Sequence, residues 1–234
     1  MKRIFLFIGL LLTFSNLTAQ KKVTKTISSS KIDDVFIHLK FAQNIVIKNW
    51  NKSVISVEAT VNINQNKDNN VFSLESDKDG KSLTVTATYG DYFKRNKSVI
   101  NRMTIYNYNN TVLVNYVIYV PKNMMLKVKS ISGSVVADNY NGVLTLNLIS
   151  GNITIKKHSK KMNLKTISGD IDVYISDATF NAKTISGNVY SDLEIDFNKG
   201  RKKNFGRKIY GTVKKGTASL KLNTISGDIF LRKI

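Results

Sequence analysis

Leu144-Thr145-Leu146-Asn147-Leu148-Ile149-Ser150-Gly151-Asn152-Ile153-Thr154-Ile155 consists of two runs of alternating apolar and polar residues hinged at Ile-Ser-Gly. Alternation with a period of two places one set of side chains on one face of an extended strand. A glycine between two such runs can take the positive φ that a tight corner requires. The stretch therefore reads as strand, corner and strand, with a single inward face.

The hinge recurs. Ile-Ser-Gly begins at Ile131, Ile149, Ile167, Ile185 and Ile225; the first four are 18 residues apart and the last step is 40. Within that long step Ile209-Tyr210-Gly211 reads as a degenerate copy, giving steps of 24 and 16. Six coils then align. Five positions before each full tripeptide stand Leu126, Leu144, Met162, Phe180 and Leu220, and three before it Val128, Leu146, Leu164, Ala182 and Leu222. Four after its isoleucine stand Val135, Ile153, Ile171, Val189 and Ile229, with Val213 in the degenerate copy. Polar residues lie between them: Lys129, Asn147, Lys165, Lys183 and Asn223. A fixed period of this kind marks a stacked-repeat architecture. The expected fold is all-β, a single-domain β-solenoid (β-helix) with coils of about 18 residues.

Each part of the corner receives a role. Ile131, Ile149, Ile167, Ile185 and Ile225 are expected to fill the interior beneath it. Gly133, Gly151, Gly169, Gly187 and Gly227 permit the bend. Ser132, Ser150, Ser168, Ser186 and Ser226 are placed to hydrogen-bond backbone groups there. A serine repeated in every coil is a structural corner and not a nucleophile. The next column reads Ser134, Asn152, Asp170, Asn188, Thr212 and Asp228. Coils stack about 4.8 Å apart, where neighbouring carboxylates repel. No acid in this column is expected to have an acid directly above or below it, which fits a polar ladder. The Gly-Gly-x-Gly-x-Asp pattern of calcium-binding repeats is absent.

The N-terminal half is β-rich but diverged. Alternation appears at Val35, Ile37 and Leu39, at Ile45 and Ile47, and at Ile55, Val57, Ala59 and Val61. It returns at Leu83, Val85 and Ala87, and at Val112, Val114, Tyr116, Ile118 and Val120. Pro121, the only proline, sits where this half meets the regular coils of about 122–234. With no Gly/Ser-rich linker between the halves, residues 20–234 read as one solenoid domain.

Val117-Ile118-Tyr119-Val120-Pro121-Lys122 leads through Leu126-Lys127-Val128 to Ile131-Ser132-Gly133-Ser134-Val135, and Gly142-Val143-Leu144-Thr145-Leu146 leads to the next corner. This pattern resembles the β-strand-repeat domain of unknown function that carries an adhesin label in exported bacterial proteins. The resemblance implies a β-helical fold outside the cytoplasm and supplies no catalytic residues.

The N-terminus agrees with export. Lys2 and Arg3 precede an apolar run from Ile4 to Leu12, and Ser15 to Ala19 is small and polar. That is the layout of a signal peptide, residues 1–19, cleaved after Ala19. Its apolar core is short of the roughly 20 residues a spanning helix needs. No later segment is a transmembrane candidate. The expected location is exported, in the periplasm or at the cell surface.

Cysteine is absent, which excludes disulfides, thiolate metal sites and a cysteine nucleophile. The chain carries 36 Lys+Arg against 16 Asp+Glu, a net +20. Removing Lys2 and Arg3 leaves 34 basic residues, about +18 for the mature chain. Such a field favours acidic glycans, lipopolysaccharide, anionic lipid head groups or another envelope protein, with nucleic acid the least expected of the polyanions.

Chemistry is sparse. His38 is expected to face outward, and His158 lies in the basic run Lys156-Lys157-His158-Ser159-Lys160-Lys161. No metal site, catalytic residue or cofactor is assigned. Asp170 with Asp172, and Asp192 with Glu194, share strand parity. They supply the alternative of a polysaccharide-active enzyme working through paired carboxylates. Two segments are candidates for ligand contact. The first, Tyr89 to Asn110, interleaves Tyr89, Tyr92, Phe93, Tyr106 and Tyr108 with Lys94 and Arg95, so that rings can stack while cations pair. The second, with Arg201, Lys202, Lys203 and Arg207, breaks the 18-residue period, and insertions between solenoid coils often carry binding.

The expected function is a non-enzymatic envelope or surface scaffold, adhesin-like in character. A purely structural module that self-associates through an open coil end is the other alternative, because the chain stops directly after its last tripeptide coil.

Overall fold

The computed structural model describes residues 20–95, 97–100, 103–106, 111–157, 160–193 and 207–234. The proposed signal segment, residues 1–19, and positions 199–206 of the basic insertion Lys199 to Lys208 lie outside the described residues. Among the described residues the fold is all-β: two nine-stranded sheets and a small hairpin of Lys97–Ile100 with Met103–Tyr106. One 3-10 turn at Asn69–Val71 and one helical turn at Tyr92–Arg95 complete it.

In the regular part every unit gives one strand to each sheet. Met125–Ser130, Val143–Leu148 and Met162–Lys165 run parallel in one sheet, and Ser134–Ala137, Ile153–Ile155 and Ile171–Ile175 run parallel in the other. The 18-residue step is the register itself: Leu126 pairs with Leu144, and Leu144 with Met162. Parallel neighbours require a crossover, usually a helix that covers the sheet. Here the crossover is a strand of the opposite sheet. Each sheet is therefore covered on one face only, which is why its strands alternate instead of being apolar throughout. Leu126, Leu144, Leu146, Leu164, Ile153 and Ile171 lie inward with no exposed surface. Each such burial contributes roughly 1.5–3 kcal/mol. The buried side chains of both halves form one continuous cluster from Ile32 to Leu231.

Spatial order departs from chain order at both ends. The unit Asp34–Leu39 with Asn44–Trp50 stacks directly on Met125–Ser130 with Ser134–Ala137, although most of the N-terminal half intervenes in sequence. Its outer neighbours are Ser82–Thr88 and Val112–Pro121, the latter continued antiparallel by Val54–Ile63 and Lys21–Ser28. At the other end Ala218–Asn223 lies between Met162–Lys165 and Ala178–Thr184. Ile229–Lys233 likewise lies between Ile171–Ile175 and Val189–Ser191. The Ile225 unit is thus inserted between those of Ile167 and Ile185.

This order corrects three expectations. Ile209-Tyr210-Gly211 is not a sixth coil: it belongs to Arg207–Val213, which runs antiparallel along Ala178–Thr184 and turns back through Lys214 and Gly216. The last strand, Ile229–Lys233, is internal to its sheet and not an uncovered end. Asp228 also stacks directly on Asp170, so acids do adjoin in the column after glycine.

Candidate functional site

The corners stack in the order Ile131, Ile149, Ile167, Ile225 and Ile185. The amide of Ser150 donates to Ile131 O at 2.9 Å, Ser168 to Ile149 O at 2.9 Å, Ser226 to Ile167 O at 2.8 Å and Ser186 to Ile225 O at 2.8 Å. Glycine is required because the corners approach so closely. A Cβ on Gly151 would sit 2.2 Å from Gly133 O, with φ +131° besides. Gly187 lacks a positive φ of this kind, yet a Cβ there would come within 1.9 Å of Gly227 O. Close stacking thus selects glycine as firmly as the bend does.

The isoleucines do not fill the interior. Ile131, Ile149, Ile167, Ile225 and Ile185 are 40–52 % exposed and form a row along the outer edge of the stack. The inward place beneath each corner is held by the preceding residue: Ser130, Leu148, Thr166, Thr224 or Thr184, each at most 4 % exposed. Threonine suits it because the methyl group faces the core while the hydroxyl satisfies a carbonyl that stacking leaves open. Thr166 Oγ1 donates to Gly151 O at 3.1 Å, Thr224 to Gly169 O at 2.9 Å and Thr184 to Gly227 O at 2.9 Å. Among the corner serines, Ser132 donates its hydroxyl to Ala42 O at 3.2 Å, while Ser150, Ser168 and Ser226 contribute their backbone to the ladder.

Beside the isoleucine row runs an outward column of the adjoining sheet. Its order, fixed by strand register, is Thr86, His38, Lys129, Asn147, Lys165, Asn223 and Lys183. The three lysines are exposed and fall on alternate units, about 9.6 Å apart, with an asparagine between each pair. Asparagine separates these three lysines from one another, while Lys183 has Lys208 as its register partner on the other side. No acid occurs between Thr86 and Lys183; the exposed Glu75, register partner of Thr86, stands at the far end of the column. Between the two rows lies a groove of about 600 Å³, floored by Ser130 and Leu148 and walled by Ile131, Ile149 and Ile167 against His38, Lys129 and Lys165. His38 faces outward, as expected. Its pKa is lowered by partial burial, and then by Lys129 and Lys127. The register places Lys40 in line with Ile131, so a cation ends the apolar row at that side.

The residues singled out for ligand contact fall elsewhere. Tyr89 is buried at 3 % exposure among Phe41, Phe72 and Phe93, and burial pushes its hydroxyl up to about 12. It closes one end of the core and does not face solvent. Phe93 packs on Phe41 and Tyr89, and Tyr92 donates its hydroxyl to Asp68 at 3.0 Å. These rings are structural. Lys94 and Arg95 lie in the helical turn, Tyr106 in the hairpin and Arg207 at a strand start, where only the backbone is described. Tyr108, Arg201, Lys202, Lys203, His158 and Glu194 lie outside the described residues.

The carboxylates are also occupied. Asp172 forms an ion pair with Arg232 at 2.8 Å, Asp170 accepts the Asp228 amide at 2.8 Å, and Asp192 accepts the Lys233 amide at 2.6 Å. Among the described residues no three His, Asp or Glu side chains gather as a metal site, and no helix is long and apolar enough to cross a membrane.

Comparison with known proteins bears on the fold. A crystal structure of a cell-adhesion candidate from Clostridium sporogenes superposes with a TM-score of 0.61 over 92% of this chain and 100% of its own, at 14% identity. An adhesin candidate from Bacteroides fragilis aligns over 93% and 99% at 10% identity, with a TM-score of 0.27. A lipid-binding candidate from Parabacteroides distasonis aligns over 91% and 96% at 12% identity, with a TM-score of 0.25. Only the first of these three supports a shared fold. No curated protein matches the chain. Residues 121–232 match Toastrack DUF4097, which spans the regular units and their corners. That match bears out, for this segment, the resemblance of the Ile-Ser-Gly pattern to a repeat domain of unknown function.

Proposed function

We propose that the mature chain is an exported, non-enzymatic, adhesin-like scaffold, a short β-solenoid whose basic face holds anionic components of the cell envelope. The observation that carries this reading is the outward column of Lys129, Lys165 and Lys183, which has no acid between its lysines and whose Lys129 and Lys165 line a groove. A rigid stack fixes the spacing of these cations before binding, so little ordering cost remains to be met. The net charge of about +18 on the mature chain, 34 Lys+Arg against 16 Asp+Glu once Lys2 and Arg3 are removed, adds long-range attraction for polyanions. Arg201, Lys202, Lys203 and Arg207 add to that charge. The N-terminal layout from Lys2 to Ala19 supports export, to the periplasm or the cell surface. Acidic glycans and lipopolysaccharide carry the matching charge.

The test is retention of residues 20–234 on an immobilised acidic glycan and on lipopolysaccharide at physiological salt. Retention that weakens steeply as salt rises is expected. Failure to bind either one at physiological salt removes the reading.

A further inference from the structure

The isoleucine row is not explained by a polyanion. A soluble acidic glycan offers charge and hydroxyl groups, which need cations and hydrogen-bond partners. It gives five isoleucines nothing to bury against. Yet Ile131, Ile149, Ile167, Ile225 and Ile185 occupy consecutive units and are each 40–52 % exposed. At about 4.8 Å per unit the row is roughly 19 Å long. It lies on the corner between the two sheets, an edge that can enter a soft medium. Single exposed apolar residues are ordinary, but an aligned row of this length marks an interaction site.

The neighbouring column states the chemistry of the partner. Lys129, Lys165 and Lys183 each stand two residues before an isoleucine, on the same outward face of the strand. An apolar edge flanked by cations matches a partner that is apolar beneath a negatively charged surface. Lysine can extend its ammonium to that surface while its methylene stem lies along the apolar part. The far flank of the corner carries Asp170 and Asp228, whose carboxylates accept backbone amides of the next units. Those acids orient the edge so that the lysine flank faces the charged surface.

We propose that the isoleucine row and its lysine column form a docking edge for an anionic lipid bilayer, the isoleucines entering the outer part of the acyl region and the lysines pairing with phosphate groups. This deepens the reading of the basic face and rests on it for the lysines alone. Depth of entry is limited by the edge itself, so the contact is peripheral and reversible.

The experiment uses residues 20–234 and two vesicle preparations: phosphatidylcholine alone, and phosphatidylcholine with phosphatidylglycerol in equal parts. Cosedimentation with the anionic vesicles only is expected. The double variant Ile149→Asn/Ile167→Asn should lose about tenfold in partitioning and retain its binding to a soluble acidic glycan. Ile225→Asn, on a separate unit, gives an independent variant should the double one lose its circular dichroism spectrum. Vesicle binding by the isoleucine variants equal to wild type overturns the proposal. So does glycan binding by wild type without vesicle binding, and that result leaves the polyanion reading standing. Loss of both kinds of binding in wild type removes both. Light scattering that shows a lipid-free dimer, abolished by Ile225→Asn, would make a second copy the occupant and also overturn it.

Discussion

The backbone amide of Asp228 donates to the carboxylate of Asp170 at 2.8 Å, across 58 residues of chain. The same link joins Asp170 N to Asn152 Oδ1 at 2.9 Å and Asn188 N to Asp228 Oδ1 at 2.7 Å. Each side chain in this column ties its unit to the next. Two acids are tolerated in contact because each spends one oxygen on an amide. Asp170→Asn keeps the acceptor and removes one of the stacked charges, so stability in urea unfolding at low salt should equal or exceed wild type. Asp170→Ala removes the acceptor and should cost about 1 kcal/mol.

Two glycines with positive φ should respond very differently to alanine. Gly151 has φ +131° and Gly133 O 2.2 Å from a built Cβ, whereas Gly90 has φ +48° and open space around it. Gly90→Ala should cost about 1 kcal/mol, the price of its backbone conformation. Gly151→Ala adds a collision with backbone and should cost roughly 3 kcal/mol or more. Equal losses in chemical unfolding would show that stacking does not select the corner glycines.

Thr166 has no exposed surface, and its hydroxyl meets Gly151 O at 3.1 Å. Thr166→Val keeps the shape but leaves that carbonyl open, at a cost of about 1–2 kcal/mol. Thr166→Ser retains the donor and loses only a methyl group. A valine variant as stable as wild type would remove the hydroxyl from the account of the corner.

His38 faces Thr86 and Lys129 across its strand, with Lys127 nearby. Its folded pKa lies below the unfolded value of 6.5, from partial burial first and the lysines second. The unfolded chain therefore takes up the proton first on acidification. This group's contribution favours folding above pH 6.5 and is lost as pH falls from there through the folded pKa. His38→Gln should flatten the decline in melting temperature over that range. An NMR titration of His38 with a midpoint at or above 6.5 would contradict this.

Strand content, inward columns and the 18-residue register were legible in the sequence, because alternation and repetition are local signals. Leu126, Val128, Leu146 and Leu164 lie where the pattern put them. The outward place of the isoleucines is written in the same parity, against their apolar character. Parity counted from Leu126 and Val128 makes Ser130 the next inward residue and Ile131 an outward one, and the apolar character of isoleucine obscured that. The order of units was not legible. Leu222 and Ala182 carry the same inward signal, and nothing local in it states that the Ile225 unit lies between Ile167 and Ile185. Long-range pairing decides it. The adjacency of Asp170 and Asp228 follows from that insertion, so the acid column could not be read in chain order. The basic and aromatic neighbours of Tyr89 in sequence point to a contact residue, whereas its ring closes the end of the core.

The central claim is that the outward lysine column recognises polyanions. Its most direct measurement compares the triple variant Lys129→Gln/Lys165→Gln/Lys183→Gln with wild type for affinity to an acidic glycan across a salt series. The account predicts roughly tenfold weaker binding and a shallower salt dependence, with an unchanged melting temperature. Wild-type affinity and salt dependence in the triple variant would contradict it.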